Sequence, residues 1–154
     1  MSTVSDYPIP VFRLQLVREG AGTAPPITCA EDAARLLEDV AVSDREQMVA
    51  LFLDTKHRPL GRHVISIGTL NASLIHPRET LKCALLANAH AFILAHNHPS
   101  GDVTPSREDD RITQTIAKAG HLLQVALLDH VILSPGGSFY SYQEQRPEAL
   151  QGGA

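Results

Sequence analysis

The sequence contains no tryptophan and only two cysteines, Cys29 and Cys83, too few for a disulfide framework or an all-thiolate metal centre. Thiols this sparse fit a reducing compartment, so a cytoplasmic location is expected. No apolar run approaches the roughly 18 residues of a membrane span. The longest clean run, Met48 to Leu53, has the length of a strand. An excess of positive charge is missing too. Thirteen Lys+Arg against 17 Asp+Glu leave a net charge of -4, which argues against a generally basic nucleic-acid binder. Asp6 precedes the first basic residue, Arg13, so the amino terminus lacks the basic and apolar regions of a secretion signal. What is present is a globular mix over 154 residues, 44% hydrophobic and 19% charged, which fits one domain with a short extension. Histidine stands out, with eight.

Within residues 1–26, Phe12, Leu14 and Leu16 alternate with Arg13 and Gln15 and predict one strand, followed by a Gly/Ala/Pro connection over Gly20 to Pro26. Thr28 and Glu31 have the spacing of a capping box. Ala33, Leu36, Leu37 and Val40 then predict an amphipathic helix over Ala30 to Ala41, where the compact domain begins. Met48 to Leu53, apolar on both faces, suits a central strand. Thr55 to Gly61 reads as a turn, and Arg62 to Thr69 and Ala72 to Ile75 as further strands. Pro77 opens a helix that runs to about Asn88, and Ala91 to Ala95 is another apolar strand. Ser106 to Gly120 reads as a helix stopped by its glycine. Leu122 to Leu128, Val131 to Leu133 and Phe139 to Tyr142 complete the strands, and Arg146 to Ala154 is expected to be a flexible tail. This order predicts an α/β fold with a mixed, curled sheet sandwiched by helices. The expected division is an extension over 1–26, a domain over 27–145 and a tail over 146–154.

The chemistry concentrates where the strand Ala91 to Ala95 runs out, in Ala95-His96-Asn97-His98-Pro99-Ser100-Gly101-Asp102 and the following Pro105-Ser106-Arg107-Glu108-Asp109. Alternate residues of an extended chain share a face, so His96 and His98 can aim at one point just beyond the strand. Pro99, Gly101 and Pro105 bend the chain so that Ser106 and Asp109 return towards them. Two imidazoles and a carboxylate are a standard protein ligand set for a catalytic Zn²⁺, with the fourth position left for water. His96, His98 and Asp109 are therefore the expected metal ligands, for one zinc per chain. Ser106 and Asp109 also have the spacing of a capping box, a role compatible with ligation because a cap pre-orients the carboxylate.

The full string, His-x-His, seven residues, Ser, two residues, Asp, is similar to the motif of the JAMM (MPN+) metalloproteases. The wording His-Asn-His-Pro-Ser-Gly-Asp with Pro-Ser-Arg-Glu-Asp resembles the RadC-like branch, as do Leu53-Asp54, Gly68-Thr69-Leu70, His76-Pro77-Arg78-Glu79 and Leu128-Asp129-His130. The resemblance spans about Ile27 to Gln145 and implies an MPN/JAB domain of cytidine-deaminase-like architecture. Full-length RadC-like proteins carry a helix-hairpin-helix region, for which Met1 to Pro26 is too short and too strand-like. The activity implied is zinc-dependent hydrolysis of a peptide or isopeptide bond in a peptide or protein substrate. The family takes its general base from the start of an earlier core strand, a position matched by Glu46, with Glu79 and Asp54 as alternatives. Ser106 is the candidate oxyanion donor. His130 either hydrogen-bonds a ligand or is an ordinary core histidine. RadC-like proteins are also associated with DNA repair, so a DNA-transaction accessory that uses the same metal site, as a nuclease or a DNA-binding protein, is the second reading.

Overall fold

The computed structural model describes residues 8–68 and 75–153. Within them, the helices α1 (Ala30–Leu36) and α2 (Glu38–Ala41) precede the strands β1 (Gln47–Leu53) and β2 (Pro59–Ile67). Helix α3 (Pro77–Leu86), strand β3 (Ala91–Asn97), helix α4 (Arg107–Leu122) and strand β4 (Ala126–Leu133) follow. Strand β5 (Phe139–Ser141), helix α5 (Tyr142–Gln145) and a 3-10 turn (Pro147–Leu150) end the fold. The five strands form one sheet in the order β2-β1-β3-β4-β5. β3 and β4 are parallel and the other neighbours antiparallel, so the sheet is mixed, as the sequence predicts.

Strand alternation sorts the core into two layers. Met48, Ala50, Phe52, Phe92 and Leu94 meet Leu81 and Ala84 of α3 and Ile112 and Ile116 of α4. Val49, Leu51, Leu53, Ile93 and Ala95 meet Ala33, Leu37, Val40 and Ala41 on the other side. β1 and β3 are covered on both faces, which explains their continuous apolar runs. β2 lies at an edge, where Pro59 as its first residue costs no ladder bond.

Several expectations are corrected. Among the described residues no strand forms between 8 and 26: no neighbouring strand offers a ladder, and Phe12 and Leu14 stay 87% and 79% exposed. Cys29, not Thr28, is the cap residue of α1, so the third helical residue is Asp32, which accepts the Thr28 amide and hydroxyl at 2.8 Å each. Leu37 leaves helical geometry (φ -116°, ψ 24°) and splits the expected single helix in two while staying buried. β4 runs unbroken through Asp129 and His130, whose buried side chains find polar partners instead of ending the strand. The chain after Arg146 is not a loose tail, because Leu150 packs on the α3–α4 core layer and Gly152 sits against the His121 ring. The predicted strand Ala72 to Ile75 and the matching Thr69-Leu70 lie largely outside the described residues.

Gly120 does not stop α4, which continues to Leu122. It is there for close approach: a Cβ at this position would lie 2.5 Å from the Val125 carbonyl oxygen and 3.3 Å from the Phe92 ring. Gly120→Ala is therefore expected to destabilise the fold by roughly 1–3 kcal/mol, the usual cost of overpacking, read as a lowered midpoint in urea denaturation.

Candidate metal centre

β3 stays extended through Asn97, which pairs with Leu133, and the His98 amide still donates to the Leu133 carbonyl at 2.8 Å. This keeps His96 and His98 on one face. The chain then turns sharply: the Gly101 amide donates to the His98 carbonyl at 3.0 Å, with Gly101 in the left-handed region at φ 87°. Helix α4 opens immediately afterwards on Ser106. The Ser106 hydroxyl accepts the Asp109 amide at 3.0 Å, and the Asp109 carboxylate accepts the Ser106 amide at 2.8 Å, a complete capping box.

Strand end and helix start thereby bring three side chains together. His96 Nε2 lies 3.0 Å from His98 Nε2 and 3.2 Å from Asp109 Oδ1, and His98 Nε2 lies 3.4 Å from Asp109 Oδ2. Tetrahedral donors each about 2.0–2.1 Å from a zinc ion stand roughly 3.3 Å from one another. The His96, His98 and Asp109 group could hold a metal ion on this spacing.

Hydrogen bonding fixes which nitrogen of each ring is the donor atom. His98 Nδ1 faces only a carbonyl, that of Asp102 at 2.6 Å, so it carries a proton and leaves Nε2 to face the cluster. His96 is fixed through a longer chain. The single hydroxyl proton of Thr113 goes to the Asp109 carbonyl at 2.7 Å, so Thr113 Oγ1 accepts from His130 Nδ1 at 2.5 Å. His130 Nε2 then accepts from His96 Nδ1 at 2.7 Å, and His96 Nε2 is left with its lone pair turned into the cluster. Burial holds His130 well below the usual imidazole range, in the neutral form this chain requires.

His130 reaches its place through a bulge. The parallel pairing sets Leu127 opposite Phe92 but Asp129 opposite Ile93, so one extra residue of β4 reverses the alternation and turns His130 towards His96. Tyr142 stacks on the His130 ring at 5.2 Å and 10°, and its hydroxyl donates to Asp110 at 2.7 Å. Thr113 and Tyr142 carry no signal in the sequence beyond an i+4 spacing from Asp109 and a place at the end of a strand.

The electrostatics suit a cation. Burial works against charge on Asp109, but the neighbouring His96 and His98 rings hold its carboxyl far below the usual carboxylate range. His98 is raised, chiefly by the Asp109 carboxylate beside it, which favours the protonated ring, with a smaller contribution from the charge of Glu46. Glu46 lies just before β1. Met48 pairs with His96 in the antiparallel register, which extended by two residues sets Glu46 opposite His98. Of the alternatives, Asp54 follows the far end of β1, where it caps a turn and pairs with Arg58 at 2.8 Å. Glu79 is exposed and pairs with Lys82 at 3.0 Å. Asp102 accepts a local amide, and Glu108 pairs with Arg111 on the surface.

Comparison with known proteins agrees with this geometry. Residues 27–147 match the family described as RadC-like JAB domain. A UPF0758 protein of Desulforamulus reducens is 49% identical over 114 residues, 73% of this chain and 50% of the relative. UPF0758 proteins of Chlorobaculum parvum (49% over 100 residues, 65% and 45%) and Geobacillus thermodenitrificans (45% over 108 residues, 70% and 48%) are similar. The chain thus spans about half the length of these curated relatives. No helix of the described residues is long and apolar enough to cross a membrane.

Two outcomes follow for divalent metals. His130→Ala frees the His96 ring to rotate and to change tautomer, and should weaken affinity about 10–100-fold in a chelator competition. Because the proton affinity of His98 is raised, a proton competes with the metal above the ordinary imidazole pKa. Affinity should fall as pH drops through that value, and calorimetry in buffers of different ionisation enthalpy should register proton release on binding.

Proposed function

This chain belongs to the RadC-like JAB domain family, and we propose that it is a zinc metallohydrolase that cleaves a peptide or isopeptide bond, with one ion held by His96, His98 and Asp109. The observation that carries this reading is the set of 3.0, 3.2 and 3.4 Å separations among three donors whose tautomers leave both Nε2 atoms free. Zinc bound there would lower the pKa of a coordinated water to about 7 and polarise an amide carbonyl.

The other roles fall to the chain itself. Glu46, opposite His98 by strand register, is the general base: its carboxylate takes the proton of the attacking water and passes it to the leaving nitrogen. Ser106 Oγ accepts the Asp109 amide and keeps its own proton. That proton is available to the carbonyl oxygen as negative charge develops, a contribution on the order of 3 kcal/mol for such a donor. Asp102 and Thr113 act indirectly, by holding the tautomers of His98 and His96.

The net charge of -4 and the surface pairing of Arg62 with Asp39 and of Lys82 with Glu79 favour a peptide over a nucleic-acid backbone as substrate. The proposal is tested by metal analysis together with mass-spectrometric detection of cleavage in a mixed peptide and isopeptide library. Wild type should carry about one zinc per chain and Asp109→Asn almost none. Glu46→Gln should keep the metal and lose roughly 100-fold to 10,000-fold in turnover, the range expected when a general base is removed. Full turnover in Glu46→Gln would assign the base elsewhere. Tight DNA binding with a steep salt dependence would favour the nucleic-acid reading instead.

A further inference from the structure

Asn97, between the two histidines, points to the opposite face of β3 and is fully buried, yet its side-chain bonds go to a segment about 50 residues earlier in the chain. Its Oδ1 accepts the Gln47 amide at 2.8 Å. Its Nδ2 donates to the Arg45 carbonyl at 2.9 Å and to the Ser43 carbonyl at 3.2 Å. One amide side chain thus grips the backbone on both sides of Glu46. The Gln47 side chain turns the same way and bonds the Ser43 hydroxyl at 2.8 Å. From the other side, the Gly68 amide donates to the Glu46 carbonyl at 2.8 Å.

Alternation decides where this leaves the Glu46 side chain. Met48, Ala50 and Phe52 face the α3–α4 layer, as does Leu94, two residues before His96. Glu46 is two residues before Met48 and shares that face, whereas Asn97 works from the α1–α2 side. The backbone is held from one face while the carboxylate is presented on the other. An unclamped segment at this point would be free to swing, since it precedes the first ladder pair of β1.

We propose that Asn97 is a positioning residue that fixes the Glu46 carboxylate against the metal centre from the opposite side of the sheet. This rests on the hydrolase reading. It assigns to the residue between the ligands a purpose distinct from theirs: the ligand strand itself registers the base against the metal.

The test uses cobalt(II) in place of zinc, because its visible bands report deprotonation of a coordinated water without any substrate. A nearby anion disfavours that deprotonation. Glu46→Gln should therefore lower the pH midpoint of the spectral change. Asn97→Ala should lower it too, with cobalt stoichiometry retained, and the double variant should move it no further than Glu46→Gln alone. Asn97→Ser adds no charge and keeps a hydroxyl for one of the lost bonds. It should give an intermediate shift, and it carries the test if the alanine variant does not fold. A midpoint that stays at the wild-type value in the Asn97 variants, or in Glu46→Gln, with cobalt fully bound overturns this inference and leaves the metal site standing. Failure of the wild type to take up cobalt overturns the metal reading and this one with it.

Discussion

Convergence of two imidazole nitrogens and a carboxylate on one point is the constraint around which this protein is arranged. The three stand within 3.0 to 3.4 Å of one another, a geometry that a flexible chain would have to order at an entropic cost. Each is also anchored from outside the cluster. Asp109 is fixed by the cap of α4, His98 by the Asp102 carbonyl, and His96 by a buried relay through His130 and Thr113 that returns to the Asp109 carbonyl. The relay is closed: every proton in it has one place to go, and the arrangement that satisfies all its members is the one that turns the ring nitrogens inwards.

The fold supplies the two directions needed. A strand end delivers donors at alternate positions, and a helix start one tight turn and a short loop later delivers the third from its cap. Both lie at the same end of the parallel pair β3 and β4, with α4 as the connection between them. The apolar layers on either side exclude water from His96 and His130, which makes the tautomer assignment strict, while His98 keeps some contact with solvent.

The grouping of His96, His98 and Asp109 was legible in the sequence because its geometry is local. A spacing of two on a strand and of three across a helix cap are properties of backbone periodicity, and Pro99, Gly101 and Pro105 announce the turn between them. The central strands, apolar on both faces, were legible for the same reason. The relay was not, because His130 reaches His96 through a bulge in β4 that no residue pattern marks, and because two buried polar residues in an apolar run read as an interruption. Gly120 shows a related ambiguity: a glycine after an apolar stripe reads as a helix end, whereas here it admits the Val125 carbonyl. The alternation at Phe12, Leu14 and Leu16 has the period of a strand, but a strand also requires a partner, which pattern alone cannot provide.

One carboxylate closes both the first turn of α4 and the donor group. Ion occupancy and helix fraying are consequently linked quantities. Whatever draws Asp109 towards a cation also tightens the terminus of a 16-residue element that spans one face of the sheet, and unwinding of that terminus expels the ion. An ion held there would also latch the crossover, and its loss would be felt first as local loosening of α4, before the core gives way.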